Sequence, residues 1–407
     1  MQLVQLAFRN LFRNTRRTVL TVLLISFSLT ALIITDAMMR GMTDLIVKSI
    51  TETLLGEAQI HKQGFRDNFD IDLFIEDTAE IEDSLSNDPT VLAYASRTIS
   101  GAMISSSYNV TGGMVYGIDA DAEADLSRIK IAVETGSYLS GKPNEILIGK
   151  TMGDLLEIKL GDRIVVTLTE ANTGEMTQAL FRVSGLLHFG ITEIDKNIAF
   201  INIDEARKLI RLGAHGAHEI AIRFRNPEDA KNTALAVFTN HNTETLESLS
   251  WLQLNKEVSS IIEMSSYGTL IIGLILFLLA SLGVINSMFM SIYERIYEFG
   301  VLKAIGTRPL DLGLLIIIES LLIALISCAV GIILALLISE YTSTVGIPLG
   351  EMEFSGLAMS DRILTQFHIS QITELPIYVI LLTVMSGLYP AWFASKIIPT
   401  EALQRSL

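Results

Sequence analysis

The sequence predicts an α-helical membrane protein with four transmembrane helices and a large α+β extracytoplasmic domain inserted between spans 1 and 2. Half of the 407 residues are hydrophobic, and the mean hydropathy is +0.45. The chain nevertheless holds 45 acidic and 30 basic residues, too many to lie in lipid. Four long runs are almost free of charge, and the 228 residues between the first two runs hold most of the charged side chains. Membrane-spanning and water-exposed parts are therefore separated along the chain.

A basic amphipathic segment, residues 1–17, opens the chain. Leu3, Ala7 and Leu11 gather on one side of a helix, and arginines cover much of the rest. This pattern is typical of a helix that lies on the membrane surface. The apolar run at residues 18–35 is longer than the apolar core of about 7–15 residues in a signal peptide, and no small-residue cleavage site follows it. We interpret it as an uncleaved span 1; the alternative is a cleaved signal peptide.

The other three spans are also nearly uncharged. Residues 264–293 and 375–395 contain no Asp, Glu, Lys or Arg, and residues 312–339 contain only Glu319. Each run reaches the length of about 20 residues that crosses a bilayer core. The predicted division is a cytoplasmic amphipathic helix at 1–17, span 1 at 18–35, an extracytoplasmic α+β domain with helical stalks at 36–263, span 2 at 264–293, a cytoplasmic loop at 294–311, span 3 at 312–339, an extracytoplasmic loop at 340–374, span 4 at 375–395 and a cytoplasmic tail at 396–407.

Basic residues predict the orientation in the membrane. The amino-terminal segment, the loop between spans 2 and 3 and the tail all carry them, whereas the loop between spans 3 and 4 is acidic. Both termini and the loop between spans 2 and 3 are therefore expected in the cytoplasm. The residues counted are Arg9, Arg13, Arg16, Arg17, Arg295, Lys303, Arg308, Lys396 and Arg405 on the cytoplasmic side, and Glu340, Glu351, Glu353, Asp361 and Glu374 against Arg362 on the outer side.

The inserted region, residues 36–263, is acidic. It holds 35 acidic and 20 basic residues, so its net charge of −15 equals that of the whole chain. An acidic surface argues against nucleic-acid binding, which favours basic patches. Short β-branched or apolar runs bounded by Gly, Asn or Asp predict strands, with helices interspersed. The predicted strands are Ala58–His61, Ala102–Ile104, Gly113–Ile118, Glu145–Gly149, Arg163–Leu168, Phe181–Leu187, Ile198–Ile201 and Glu219–Phe224, and the predicted helices are Thr78–Ser86, Met152–Leu156, Asp204–Leu212 and Glu228–Asn240.

Both flanks of the inserted region show helical patterns. One apolar stripe follows span 1 and another precedes span 2. If both spans continue outward as helices, the stripes can pack together as a stalk; two separate core helices of the domain are the alternative. The stripes are Met38, Met42, Leu45, Ile46, Ser49, Ile50 and Thr53 on the first flank, and Leu246, Leu249, Leu252, Val258, Ile261 and Ile262 on the second.

The loop between spans 2 and 3 begins with ERIYEFGVLKAIGTRP at residues 294–309, which predicts a short helix. Its apolar residues fall close to helical spacing, and charged residues occupy the other sides. Gly300 and Gly306 fit a close backbone approach or a helix end, and Pro309 stops the helix before span 3. Apolar side chains exposed beyond the membrane need a partner, and a second protein is the simplest one. These side chains are Ile296, Phe299, Val301, Leu302 and Ile305.

The sequence indicates no catalytic, cofactor-binding or metal site. It contains no Gly-x-x-x-x-Gly-Lys-Ser/Thr loop, so ATP hydrolysis would need another chain. His215, His218 and Glu219 match no known metal-binding spacing, and we interpret them as a solvated loop. Glu319 is expected to make an interhelical hydrogen bond or to pair near the cytoplasmic face, and not to relay protons, because the spans hold no second acid. Asn286, with Gly283 and Ser287 nearby, gives span 2 a small, polar stripe suited to helix contact, either within the chain or across a dimer.

Five segments, spread from one end of the chain to the other, carry a family signature. They are AFRNLFRNTRRTVLT at Ala7–Thr21, GEAQIHKQGF at Gly56–Phe65, ILIGKTMGDLLEIKLGD at Ile146–Asp162, ERIYEFGVLKAIGT at Glu294–Thr307 and YPAWFASKIIPTEAL at Tyr389–Leu403. Together they resemble the MacB/FtsX superfamily of ABC transporter permeases, and most closely its lipoprotein-releasing, LolC/LolE-type members. The cytoplasmic-loop and carboxy-terminal segments are the more specific.

This resemblance implies a dimer of four-span permeases, identical or not, in the bacterial inner membrane. Two copies of a separate ABC ATPase subunit would bind ATP and Mg²⁺ and move the outer, MacB-type periplasmic core domains, a process called mechanotransmission. The loop between spans 2 and 3 would be the coupling helix that docks on the ATPase. The predicted coupling residues are Glu294, Arg295, Glu298, Phe299, Gly300, Lys303 and Gly306.

The predicted cargo is a lipoprotein or another amphipathic molecule handled at the outer leaflet. In lipoprotein-releasing permeases of one type, a long hairpin captures a soluble periplasmic carrier. The corresponding residues here, Thr169–Gln178, predict a short hairpin tip around Asn172-Thr173-Gly174, without an aromatic or proline residue. A second hypothesis is an FtsX-like regulator of an outer partner such as a cell-wall hydrolase, and a third is a membrane-bound enzyme. The large inserted region favours transport.

Overall fold

The protein is described by a computed structural model that divides into two compact units. The structure describes residues 2–348, 353–354, 357–358 and 362–404. Three residues that were used to predict the orientation, Glu351, Asp361 and Arg405, lie outside these ranges. The membrane unit comprises Met1–Thr43, Ile262–Leu349 and Arg362–Leu407, and the outer unit comprises Asp44–Ile261 and Gly350–Asp361.

Helices and strands are numbered in chain order. The helices are α1 (Gln2–Arg13), α2 (Thr15–Ile50), α3 (Phe65–Asn68), α4 (Ala79–Ser86), α5 (Ala120–Leu126), α6 (Lys150–Leu155), α7 (Thr192–Asn197), α8 (Ile203–Ile210), α9 (Ala236–Asn240), α10 (Trp251–Leu254), α11 (Lys256–Glu294), α12 (Ile296–Ala304), α13 (Pro309–Val345), α14 (Ile369–Ser395) and α15 (Pro399–Gln404). A π-helical turn, Thr51–Leu55, continues α2, and a 3-10 turn covers Pro227–Lys231. The strands are β1 (Ala58–Lys62), β2 (Val91–Ser105), β3 (Val110–Ile118), β4 (Val133–Gly136), β5 (Glu145–Gly149), β6 (Arg163–Thr169), β7 (Met176–Leu187), β8 (Ile198–Asn202), β9 (Glu219–Phe224), β10 (Leu246–Ser250) and the two-residue strands β11 (Ile347–Pro348), β12 (Glu353–Phe354), β13 (Leu357–Ala358) and β14 (Arg362–Ile363).

Four helices, α2, α11, α13 and α14, are long and apolar enough to cross a membrane. Each contains one predicted span and extends beyond it. Helix α13, for example, begins with Pro309 in its first turn, where the backbone N–H would have no helical partner anyway. It ends at Gly346, whose φ of 75° strains any residue with a side chain.

The helices of the membrane unit contact one another through small and hydroxyl side chains. Ser26 Oγ donates to the Ser327 carbonyl at 2.9 Å, and Thr30 Oγ1 donates to the Gly331 carbonyl at 3.0 Å. A Cβ atom on Gly331 would lie 3.1 Å from the Ser26 carbonyl oxygen, so this glycine permits the close approach of α2 and α13. Close packing of this kind holds helices together in lipid, where water no longer drives apolar association.

The outer unit is built on one ten-stranded sheet. Six strands close a ring in the order β2, β3, β8, β5, β7, β6 and back to β2. Side chains alternate along these strands, and the inward ones fill an apolar core that includes Ile104, Val166 and Phe181. A second core covers the other side of β3, β5 and β8 through residues such as Tyr116 and Phe200. Strands β9, β1 and β10 extend the sheet beyond β2.

The predicted α+β character of the inserted region is confirmed. A strand is present at each of the eight predicted positions, although β2, β3 and β7 begin well before the predicted starts at Ala102, Gly113 and Phe181. The predicted helices at Thr78–Ser86, Met152–Leu156 and Asp204–Leu212 are present with ends shifted by one or two residues, as is usual for such boundaries. The first flank is helical through Leu55, in line with its apolar stripe.

Two predictions for the outer unit are wrong. Residues Glu228–Asn240 form a 3-10 turn and the short helix α9, separated by residues 232–235, instead of one helix. Leu246 and Leu249, assigned to a helical stripe, lie in β10, which pairs antiparallel with β1. The backbone N–H and C=O groups on one side of β1 need hydrogen-bonding partners, and β10 supplies them. This pairing between distant segments outweighs the weak helical pattern of the flank. The packing of a stalk between α2 and α11 stays a prediction.

Candidate coupling site

The loop between α11 and α13 folds into the short helix α12, as predicted. Arg295 precedes its first turn, and the helix ends at Ile305. The next residue, Gly306, has a φ of 100°, which a side chain would strain. The interpretation of Gly306 as a helix end is therefore confirmed.

One side of α12 is buried inside the membrane unit. Phe299 is fully buried, and a Cβ atom on Gly300 would lie 2.7 Å from the Cβ atom of Ala402 in α15. Ile296 and Leu302 pack against the same core. The prediction that these side chains are exposed for a second protein is therefore wrong for Ile296, Phe299 and Leu302. Helical spacing reveals an apolar side but not the element that covers it.

A buried polar node joins α12 to α13 and α1. Arg295 Nη1 donates to Glu319 Oε1 at 2.9 Å, and Asn10 Nδ2 donates to the same oxygen at 2.6 Å. The side chains of Arg295 and Glu319 are only 9% and 4% exposed, so each charge depends on the other. The guanidinium also lies 5.0 Å from the centre of the Phe299 ring. Glu319 thus makes an interhelical hydrogen bond and an ion pair, as expected; that this end of the helix faces the cytoplasm stays a prediction.

Acidic residues at the start of the loop bind the basic amino-terminal segment. Arg17 pairs with Glu294, to which Asn14 Nδ2 also donates at 3.1 Å. Arg13 pairs with Glu298 at 2.5 Å. The complementary charges of the two segments are visible in the sequence, but composition alone does not choose partners among surface charges. Such exposed pairs contribute at most about 1 kcal/mol each.

Lys303 binds the end of another helix. Its Nζ donates to the carbonyls of Ser395 and Ile397, each at 2.8 Å. These carbonyls lie at the carboxyl end of α14, where backbone acceptors lack helical partners and the helix dipole favours a cation. Arg295, Phe299, Gly300 and Lys303 thus support α12 from within the chain.

The opposite side of α12 is exposed and largely apolar. Tyr297, Val301 and Ile305 are spaced four residues apart and are 48%, 36% and 76% exposed. Leu310, in the first turn of α13, is 82% exposed. We call Tyr297, Val301, Ile305 and Leu310 the docking face. An exposed apolar patch of this kind is typical of a protein-binding surface.

The polar stripe predicted on span 2 contacts α2. Thr21 Oγ1 donates to Ser287 Oγ at 2.8 Å, and a Cβ atom on Gly283 would collide with Leu24. Asn286 itself is exposed and lines a groove of about 290 Å³ beside these residues. Gly283 and Ser287 therefore serve packing within the chain, as small and polar residues do in membranes. A helix contact through Asn286 stays a prediction.

The outer unit holds a buried ionic cluster at residues that the sequence did not single out together. Arg97 is fully buried and donates to Glu123 at 2.6 and 2.9 Å and to Glu219 at 2.9 Å. It also donates to the carbonyl of Leu54, in the π-helical turn that continues α2. Burial alone would lower the pKa of Arg97, but the two carboxylates raise it above its ordinary value.

His218 lies in the same buried layer. The Ile99 N–H donates to its Nδ1, and its Nε2 donates to the Ile71 carbonyl, both at 3.0 Å. Burial lowers the pKa of His218 to about 4. The prediction of a solvated loop is therefore wrong for His218 and Glu219, which are both buried: Glu219 is the first residue of β9, and His218 directly precedes it. It is right for His215, whose side chain is exposed.

The hairpin between β6 and β7 is short, and its tip is held by the rest of the outer unit. Asn172 and Gly174 have φ values of 62° and 68°, so they form the predicted tight tip. The Asn172 N–H donates to Asp72 Oδ1 at 2.6 Å, and Arg211 Nε pairs with Glu170 at 2.8 Å. A tip bound on both sides does not project as a long hook.

Two family models match this sequence. The MacB-like periplasmic core domain matches residues 18–237, which include the ring of strands and the ionic cluster. The FtsX-like permease C-terminal domain matches residues 270–399, which include α12 and the docking face.

Several proteins are similar to this chain, over shares of it that range from one third to nearly all. The lipoprotein-releasing system transmembrane protein LolC of Xylella fastidiosa is 25% identical over 306 residues, which cover 72% of each chain. LolC of Neisseria meningitidis is 21% identical over 401 residues, covering 95% of this chain and 94% of that protein. The macrolide export ATP-binding/permease protein MacB of Escherichia coli is 33% identical over 135 residues, covering 33% of this chain and 19% of MacB. The crystal structure of the periplasmic region of MacB from Actinobacillus actinomycetemcomitans aligns with a TM-score of 0.35 and 14% identity, over 51% of this chain and 92% of that structure.

Proposed function

The chain belongs to the MacB/FtsX-type family of ABC transporter permeases, and from this membership we propose that it is a non-catalytic permease subunit that works by mechanotransmission. A separate ATPase binds the docking face from the cytoplasm, and hydrolysis of ATP moves the outer unit. Two permease chains, identical or not, form the membrane part of the complex.

The docking face is the observation that carries this proposal. Tyr297, Val301, Ile305 and Leu310 are exposed and apolar, although the other side of α12 is already covered by the membrane unit. A surface that remains apolar after its own chain has packed fits a protein partner. Glu298, half-exposed beside this face, adds a charge that can orient the partner.

Charge asymmetry supports the orientation and the location. Arg9, Arg13, Arg16 and Arg17 precede α2 closely, and short basic segments beside spans stay in the cytoplasm. We therefore place both termini and α12 in the cytoplasm and the outer unit beyond the bacterial inner membrane.

The proposed cargo is a lipoprotein or another amphipathic molecule. The support is the similarity to LolC over nearly the whole chain. The fixed tip at Asn172 argues against this hairpin as the hook that captures a soluble carrier. Either a partner permease then supplies the hook, or this chain handles another cargo.

The docking proposal is tested by charging the docking face. We expect the full chain with Val301→Asp and Ile305→Asp to lose binding to the ABC ATPase that copurifies with the wild type by about tenfold or more, because two apolar contacts would be replaced by carboxylates. Leu160→Asp, at a side chain that is 47% exposed in the outer unit, is the matched control. Affinity is measured by titration in nanodiscs.

A double variant that binds as tightly as the wild type would contradict docking at this face. A second assay distinguishes a transport permease from an FtsX-like regulator. Release of a lipid-anchored lipoprotein from proteoliposomes supports transport, whereas ATP-dependent activation of a cell-wall hydrolase without release supports an FtsX-like regulator.

A further inference from the structure

Arg295, Glu319 and Asn10 form a node that attaches α12 to α13 and α1. The node lies on the side of α12 that faces away from the docking face. We propose that this node is a positioning element that makes α1, α12 and α13 move as one body. A push on the docking face is then passed to span 3 and to the amino-terminal helix. This inference rests on the proposed function and names the residues that carry the motion away from the ATPase contact.

The geometry of the arginine explains why three helices move together. Nη1 of Arg295 reaches Glu319 on α13 at 2.9 Å, and Nε faces Glu298 on α12 at 3.4 Å. A planar guanidinium can bridge two carboxylates in this way, whereas a lysine ammonium on a flexible stem cannot hold both in fixed directions.

Helix α1 completes the connection. Asn10 donates to the same Glu319 oxygen as Arg295, and Arg13 pairs with Oε1 of Glu298 while Arg295 faces Oε2. Each acid therefore has partners on two different helices. Any rotation of α12 alone would break bonds on both sides.

Because the node is buried, separating its charges costs more free energy than separating a surface pair. Arg295 and Glu319 are almost fully removed from water, so separating them would leave two uncompensated charges. The Arg13 pair, with the arginine side chain 61% exposed, is screened by solvent and breaks at little cost. The stiff part of the connection is thus the Arg295–Glu319–Asn10 node.

A buried ion pair can often be replaced by apolar residues without loss of stability. Such a replacement therefore tests whether the node positions α12, separately from whether it stabilises the fold. The Arg295→Met, Glu319→Leu double variant removes both charges and the bridge to Glu298 together. Glu340→Leu removes an exposed acid from the same helix α13 and serves as the control.

The test uses the full chain in nanodiscs with its ATPase. Hydrogen–deuterium exchange of the outer unit is measured with and without ATP. We expect the double variant to bind the ATPase within about threefold of the wild type, since the docking face is intact. Its ATP-dependent change in exchange should be smaller by about fivefold or more. Glu340→Leu should respond like the wild type.

The outcomes are distinct. A wild-type chain that binds no ATPase overturns both the proposed function and the node. A wild type and a double variant with equal responses to ATP overturn the node alone. Arg295→Lys is the second variant, in case the double variant does not fold. It keeps a charge beside Glu319 but loses the bridge, so a full response of Arg295→Lys also overturns the node.

Discussion

Each of the two units holds a buried arginine that is paired with buried carboxylates. In the membrane unit, Arg295 neutralises the one acid of span 3, Glu319. In the outer unit, Arg97 neutralises Glu123 and Glu219 and binds the Leu54 carbonyl. Each arginine joins elements that are far apart in sequence. Loss of either one would leave buried carboxylates without a partner.

His218 makes the stability of the outer unit depend on pH. Its pKa is about 4 in the folded chain against 6.5 ordinarily, so the unfolded chain takes up a proton as the pH falls below 6.5 and the folded chain does not. We expect His218 to remove about 3 kcal/mol of stability between pH 6.5 and about 4. Chemical unfolding of the full chain in detergent across this range measures the loss.

The variant His218→Gln should show a flatter dependence on pH, even if it is less stable overall. His215→Gln, at an exposed position in the same segment, should keep the wild-type slope. Equal slopes for the wild type and His218→Gln would show that another group is responsible.

The sequence predicted Glu319 as a residue in need of a partner, because an acid inside an apolar run is conspicuous. It did not predict Arg97, because an arginine within a 228-residue charged region carries no such signal. His218 and Glu219 were misjudged for the same reason. Their burial depends on the pairing of β9 with β1 and β2, which no local pattern contains.

At the scale of elements, α12 shows what periodicity can and cannot predict. The helix and its end at Gly306 followed from local signals. Local signals did not predict which side of α12 is buried, since Phe299 and Val301 are both apolar but only Phe299 is buried. The covering residue, Ala402, lies in α15, about one hundred positions away. Long-range contacts of this kind are decided by packing.

The register of β10 against β1 can be tested with cysteines. Lys62 and Leu246 are direct partners in the antiparallel pair and are both partly exposed. Lys62→Cys with Leu246→Cys should form a disulfide readily, because directly opposed residues lie about 4.5–5.5 Å apart between Cα atoms. Non-reducing electrophoresis after mild oxidation detects the bond.

The control pair is Lys62→Cys with Leu249→Cys. Leu249 is opposite Gln59, three residues away from Lys62, or about 10 Å along the strand. Equal crosslinking of the two pairs would contradict the observed register and favour the helical stripe first predicted for this flank.

At the scale of the whole molecule, the strict separation of charge along the chain made the four spans and the inserted domain predictable. Uncharged runs of sufficient length leave few alternatives to membrane helices. The closure of the strand ring was not predictable, because β2 pairs with β3, β6 and β9 at very different sequence separations. Apolar runs identify strands but not their neighbours.

The outer unit should fold without the spans. Its two main apolar cores are formed by residues of the outer unit, and the ionic cluster around Arg97 is complete within residues 44–261. We expect residues 44–261, expressed alone, to unfold cooperatively in denaturant, because strands of one sheet contribute to both cores. Circular dichroism measures the transition, and a gradual loss of signal without a transition would contradict this independence.

The helical turn that ends at Leu55 leads directly into β1, which lies outside the strand ring beside the edge strand β10. Arg97, on the ring strand β2, binds the turn through the Leu54 carbonyl. A closed ring has no unpaired edge, whereas β10 has one. The buried arginine therefore gives the turn a second attachment, directly to the closed part of the sheet.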